Sequence, residues 1–129
     1  MSRLQPVFAQ CRAARRAAFV AYVCAGDPDF ETSVEVCRAL LAGGVDILEL
    51  GVPFSDPLAD GPVIQRATER ALAAGTTLEG VLALLGQMRA ELDVPVVVFS
   101  YANPILRMGA EAFAARAQAV GVDGVLVLD

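Results

Sequence analysis

Histidine is absent from all 129 residues. That excludes imidazole-based triads, HExxH zinc sites and the side chain that most often moves protons near neutrality. Acid–base chemistry therefore falls to Asp, Glu, Tyr, Cys or the basic side chains. Cysteine is scarce. Cys11, Cys24 and Cys37 are an odd count without CxxC spacing, which fits reduced thiols in the cytoplasm and not a disulfide frame. Charged residues make up only 19%, the net charge is −5 and no basic stripe is visible, so no nucleic-acid partner is expected. No apolar run approaches the roughly 18 residues of a membrane span. Residues 17–24, after Arg15-Arg16, faintly resemble a secretory leader. They are short, lack a small-x-small cleavage signal and run into Gly26-Asp27-Pro28, so no leader is expected. No GxGxxG follows the first strand and no GxxxxGK[ST] occurs, which leaves dinucleotide and P-loop binding unsupported. No metal site is expected.

What is present is a strongly apolar chain, 56% of residues, too hydrophobic for disorder and long enough for one domain with a real core. A helix is expected over 2–14, where Leu4, Val7, Phe8 and Cys11 keep i, i+3, i+4, i+7 spacing. Residues 18–24 read as a strand buried on both faces, because they hardly alternate. After the turn Gly26-Asp27-Pro28-Asp29, a helix over 30–42 turns Phe30, Val34, Cys37 and Leu41 inward, and Gly43-Gly44 stops it. A strand over 45–50 sets Val45, Ile47 and Glu49 on one face and Leu48 and Leu50 on the other. Pro62 opens a helix to about residue 74, with Ile64, Ala67, Ala71 and Leu72 inward. Thr76-x-x-Glu79 reads as a capping box for a helix over 77–91, whose stripe is Leu78, Val81, Leu82, Leu85 and Met88. A strand over 94–101, a turn at Ala102-Asn103-Pro104, a helix over 110–119 facing Phe113, Ala114 and Ala117 inward, and a strand over 122–128 complete the chain. Short apolar strands alternating with amphipathic helices imply a parallel sheet with right-handed crossovers. A weak repeat supports a regular array: Gly44-Val45-Asp46 and Gly121-Val122-Asp123 each follow a helix and lead into a strand.

In such an array, polar residues at the C-terminal ends of strands are candidates for a site. Glu49, Ser100, Tyr101, Asp129 and Tyr22 fall there. Glu49 is the sharpest of them. A carboxylate beside core residues is costly to bury unpartnered, and desolvation would raise its pKa towards the range where it both gives and takes a proton. The alternative is a purely structural Glu bonded to backbone N–H groups, and spacing alone leaves both open. Asp60 either caps the helix at Pro62 or orients a substrate N–H. Tyr22, Phe99 and Tyr101 either line an aromatic-accepting pocket or pack as core. Asp56 and Pro57 read as loop architecture or a contact surface, Cys24 as a small buried hydrophobe, and Arg12, Arg15 and Arg16 as a solvated face.

The stretch Leu48-Glu49-Leu50-Gly51-Val52-Pro53-Phe54-Ser55-Asp56-Pro57-Leu58-Ala59-Asp60-Gly61-Pro62 resembles the signature of the tryptophan synthase alpha chain family. Gly26-Asp27-Pro28, Gln65-Arg66-Ala67, Tyr101-Ala102-Asn103-Pro104 and Gly121-Val122-Asp123-Gly124-Val125-Leu126-Val127 follow the family order along the whole chain. The resemblance implies an α/β fold of the (β/α)8 TIM-barrel family, with residues 1–129 forming an N-terminal helix and the first four β/α strands, the N-terminal half of the barrel domain. It implies a carbon–carbon lyase of tryptophan biosynthesis that cleaves indole-3-glycerol phosphate to indole and glyceraldehyde 3-phosphate by a retro-aldol step. Glu49 would be the acid–base and Asp60 the acceptor of the indole N–H. Tyr22, Phe99, Tyr101 and Leu128 would line the indole pocket, with Tyr22 standing where the family commonly has Phe. Pro53, Asp56 and Asn103 would lie on the surface that meets the beta chain in an alpha2-beta2 heterotetramer. The alpha chain needs no cofactor; pyridoxal phosphate belongs to the beta chain. A barrel takes roughly 250 residues, and the family's phosphate site lies in the loops after strands seven and eight. The expectation is therefore a truncated chain. The alternatives are a module that docks on the beta chain without catalysis, or two copies completing one barrel.

Overall fold

A computed structural model describes residues 2–129. The elements, in chain order, are α1 (Leu4–Ala13), β1 (Val20–Cys24), α2 (Phe30–Ala42), β2 (Ile47–Gly51), α3 (Pro62–Ala73), α4 (Leu78–Met88), β3 (Val96–Tyr101), α5 (Ala102–Met108), α6 (Ala110–Ala119) and β4 (Gly124–Leu128). The strands form one parallel sheet in the order β1-β2-β3-β4. Each crossover carries at least one helix, as parallel pairing requires. This is the expected β/α array.

The core fills the space between one face of the sheet and the helices. Leu48 and Leu50 of β2 and Val96 and Val98 of β3 are fully buried there, against Val34 and Cys37 of α2 and a stripe of α4 that includes Val81, Leu85 and Met88. Phe113 and Ala117 of α6 complete it. At about 25 cal/mol per Å² of apolar surface removed from water, this cluster is the main source of stability.

Several elements depart from expectation. Pairing in every strand begins two residues later than the apolar run, at Val20, Ile47, Val96 and Gly124. β1 is not buried on both faces: Val20 is 41% exposed and Ala21 to Val23 are half-buried. Its place at the sheet edge explains this, since only β2 lies beside it. Phe8 and Phe30 are exposed, Leu72 of α3 is exposed while Thr68 is buried, and Ala114 faces solvent. The α4 cap is Thr77, whose hydroxyl accepts from Gly80 N–H at 3.1 Å. That shift places Glu79 at the second helical position, so no capping box forms. Thr76 instead covers Gly26 (φ +83°) so closely that any Cβ there would collide with its side chain. Ala102-Asn103-Pro104 is not a turn but the first turn of α5. Proline is tolerated there because first-turn N–H groups have no intrahelical partner.

The repeat has a structural meaning. Asp46 N–H donates to Phe19 O at 2.8 Å while Phe19 N–H donates to Asp46 Oδ2 at 2.7 Å. Asp123 N–H donates to Val96 O at 2.9 Å, and Val96 N–H donates to Asp123 Oδ2 at 2.9 Å. Each aspartate is thus clasped to the neighbouring strand by a reciprocal pair. Each is also forked by an arginine: Arg16 on Asp46, both bonds at 2.8 Å, and Arg3 on Asp123 at 2.9 and 2.8 Å. Arg16 is therefore not merely a solvated side chain. These clasps close the N-terminal end of the sheet and leave the other end to carry chemistry.

Candidate active site

Register decides which residues share the face opposite the core. Tyr22, Glu49, Val97 and Gly124 are aligned across the four strands, and Cys24, Gly51, Phe99 and Leu126 form the next such row. Tyr101 is aligned with Leu128. Parallel partners point the same way, so Glu49 stands between Tyr22 and Val97 on the face away from Leu48 and Leu50. Glu49 as a whole is half-buried. Among the described residues it takes part in no hydrogen bond or ion pair. The alternative of a structural Glu bonded to backbone N–H groups is not what is found.

Tyr22 carries the closest approach in the site. Its ring meets Phe99 edge to face, with centroids 5.7 Å apart. Its hydroxyl end overlies Gly51, where an added Cβ would lie 2.6 Å from Cζ and 2.9 Å from Cε2. Burial holds the Tyr22 phenol well above its ordinary pKa, and Cys24 and the negative charges of Asp60 and Glu49 add to that. Cys24 sits behind the ring with Ala67 and Ala71 of α3, its Sγ 3.9 Å from Thr68 Oγ1. Burial raises the Cys24 thiol, as befits a small buried hydrophobe.

Asp60 does not cap α3. The cap is Gly61, without a side-chain bond. The carboxylate turns to β3 instead, where Tyr101 Oη donates to Asp60 Oδ2 at 3.3 Å, and Ala59 N–H donates to the same Oη at 2.9 Å. Phe54 packs on the Tyr101 ring with centroids 5.3 Å apart. Burial raises the Tyr101 phenol, and the Asp60 charge works in the same direction. Gln65 Nε2 braces the loop from α3 by donating to Asp60 O at 2.9 Å. The contributions of Phe54, Gln65 and Gly51 were not anticipated; the only signal was their place within or just after the signature.

Other candidates fall elsewhere. Ser100 is buried and donates to Tyr101 O at 2.8 Å, away from the site. Leu128 is half-buried beside Tyr101, and Asp129 is exposed. Asp56 and Asn103 are exposed, but Pro53 is buried. Pro53 lines a cavity of about 330 Å³ with Phe54, Thr77, Pro104 and Met108. Leu58 (91% exposed) and Leu106 (70%) are apolar side chains left open on this side of the molecule. Among the described residues no group of three potential ligands could hold a metal, and no single helix is long and apolar enough to cross a membrane.

Comparison with known proteins agrees along the whole chain. The family model described as tryptophan synthase alpha chain matches residues 8–129. The tryptophan synthase alpha chain of Burkholderia cenocepacia is 57% identical over 130 residues, covering 100% of this chain and 48% of that one. Among solved structures, tryptophan synthase subunit alpha from Legionella pneumophila superposes with a TM-score of 0.95 at 42% identity, over 100% of this chain and 50% of the other. A chain of Mycobacterium tuberculosis tryptophan synthase, in its aminoacrylate-bound form, gives 0.94 at 45% identity, over 100% and 52%. These neighbours are TIM barrels, and the four strands here correspond to half of one. The chain spans about half the length of the curated relatives it matches. With its signature loop, its β/α array and its whole length matched in this way, the chain belongs to the tryptophan synthase alpha chain family.

Proposed function

We propose that residues 1–129 are the N-terminal half of a barrel domain that cleaves indole-3-glycerol phosphate to indole and glyceraldehyde 3-phosphate. The observation that carries this reading is the placement of two carboxylates at the C-terminal end of one sheet, Glu49 on β2 aligned with Tyr22 and Asp60 in the loop after it, bonded to the Tyr101 hydroxyl. A retro-aldol step needs a proton delivered to the indole ring carbon that bears the glycerol chain, and a proton taken from the adjacent hydroxyl. The carbon–carbon electron pair then returns to the ring, leaving indole and an aldehyde. Glu49, half-buried and bonded to no other side chain, supplies the acid–base group. Asp60 accepts the ring N–H and offsets the positive charge that develops on the ring, an electrostatic role in a partly water-excluded site. Tyr22, Phe99, Tyr101 and Leu128 line the indole pocket. The route uses no cofactor on this chain.

The exposed side near Asp56, Asn103, Leu58 and Leu106 is the surface for a beta chain in an alpha2-beta2 heterotetramer, where pyridoxal phosphate belongs to the beta chain. The setting is the cytoplasm, which fits three unpaired thiols. The test is indole release from indole-3-glycerol phosphate, with Glu49→Gln as the control. Loss of more than about 100-fold in turnover is expected from removing the acid–base. Turnover that is insensitive to Glu49→Gln would overturn the role given to Glu49. A pull-down with a beta chain, weakened by charge reversal at Asp56, tests the docking surface.

A further inference from the structure

We propose that Tyr101 is the positioning residue for Asp60: its hydroxyl ties the signature loop to the end of β3 and holds one carboxylate oxygen, so that the other faces the pocket. The inference rests on the reading above that Asp60 receives the indole N–H.

The loop 52–61 has no regular structure of its own. It is tied to β3 at its start, where Val52 N–H donates to Phe99 O at 2.8 Å, and again near its end through Tyr101. A phenol carries one proton. Ala59 N–H can only donate, and it occupies a lone pair of Oη at 2.9 Å. The hydroxyl proton is then directed to Asp60 Oδ2 at 3.3 Å. Donation runs one way, from backbone N–H to phenol to carboxylate, an order in which each bond polarises the next. Oδ2 is engaged, and Oδ1, which has no hydrogen bond among the described residues, is left to accept from a ligand. The phenol itself cannot swing: Tyr101 is 7% exposed, with Phe54 against its ring and Leu128 aligned beside it. An acceptor held in place needs no reorganisation when charge develops opposite it, which is what makes such a group effective. Phenylalanine would keep the pocket wall and lose both bonds.

The test uses this chain labelled with ¹³C at tyrosine Cζ. The chain has two tyrosines, so two lines are expected, and Tyr22→Phe assigns them. Asp60→Asn, which removes the charge that Tyr101 Oη faces, should shift the Tyr101 line, while Asp56→Asn should leave it in place. In Tyr101→Phe the Ala59 amide should exchange about tenfold faster, the loss of one hydrogen bond, while the Val52 amide is unchanged. A Tyr101 line that stays in place in Asp60→Asn, or that moves equally in Asp56→Asn, overturns the inference, as does unchanged Ala59 exchange. Should Tyr101→Phe fail to fold, the Asp60→Asn comparison still decides, because it keeps Tyr101. None of these readouts depends on turnover. Indole release that is unaffected by Asp60→Asn would therefore overturn the reaction reading of Asp60 without touching the link to Tyr101.

Discussion

Gly51→Ala is a sharp probe of how tightly the site face is built. The Gly51 φ lies outside the left-handed region, so the substitution tests space and not backbone strain. A Cβ there would lie 2.6 Å from Tyr22 Cζ and 2.9 Å from Cε2, where ordinary contact begins at 3.4 Å. The ring must therefore move. Phe99 meets it edge to face on one side, and Cys24, Ala67 and Ala71 pack behind it. Overpacking of this kind costs about 1–3 kcal/mol, and spoiling the aromatic pair adds about 0.5–1.5 kcal/mol. Alanine recovers roughly 0.5–1 kcal/mol from the lower entropy of the unfolded chain. The net loss expected is about 2 kcal/mol, or a Tm fall of about 8 °C at about 4 °C per kcal/mol for a chain of this size. In a Tyr22→Ala background the same Cβ enters vacated space, and Gly51→Ala should become neutral or slightly stabilising. Urea unfolding of the four proteins, followed by far-UV circular dichroism, gives the coupling directly, with about 1.5 kcal/mol or more expected. A Gly51→Ala cost equal in both backgrounds to within about 0.5 kcal/mol would refute the packing account.

Three further outcomes are expected. Thr77→Ala should destabilise by about 1 kcal/mol through loss of the α4 cap, while Glu79→Gln should change stability by less than about 0.5 kcal/mol; the opposite ranking in urea unfolding would restore the capping box. Burial alone would raise the Asp123 carboxyl, but the Arg3 fork and Val96 N–H outweigh it and hold the folded pKa below the ordinary range. Its stability contribution is therefore present above about pH 4 and lost as the pH falls through the lowered value, so Asp123→Asn should flatten the decline in unfolding free energy measured from pH 6 down to pH 3. All three thiols are buried, and burial pushes Cys37 up to about 11, so a thiol reagent should label none in the native protein and three in denaturant; rapid native labelling would contradict the packing of Cys24 and Cys37.

The two ends of the sheet divide the work. At the N-terminal end, the aspartate clasps join neighbouring chain segments and are forked by Arg3 and Arg16, which flank α1, a stabilising role. At the C-terminal end, Asp60 meets the Tyr101 hydroxyl and Glu49 has no hydrogen-bond or ion-pair partner among the described residues, so neither is neutralised. This division matches the general behaviour of β/α barrels, where the strand C-termini carry the chemistry.

The sequence alone determined the features governed by local physics. Period-2 alternation put Glu49 on the face opposite Leu48 and Leu50, glycine and proline punctuated the helices, and the order of apolar runs yielded four parallel strands. The signature residues pointed to the family without any coordinates. Tertiary structure decided whatever depended on a partner distant in the chain. Val20 is exposed because β1 has one neighbour, which no local pattern encodes. The repeat marked Asp46 and Asp123 as leading into strands, but nothing local shows that Arg16 and Arg3 reach them across 30 and 120 residues. The capping-box pattern favoured Thr76, but Gly26 claims that residue and Thr77 caps α4. Asp60 was equally a helix cap or a ligand acceptor on spacing alone; the phenol of Tyr101, 41 residues away, holds it at the end of β3 and not on the α3 terminus. Local periodicity says which way a side chain points, and only the packed fold says what it meets.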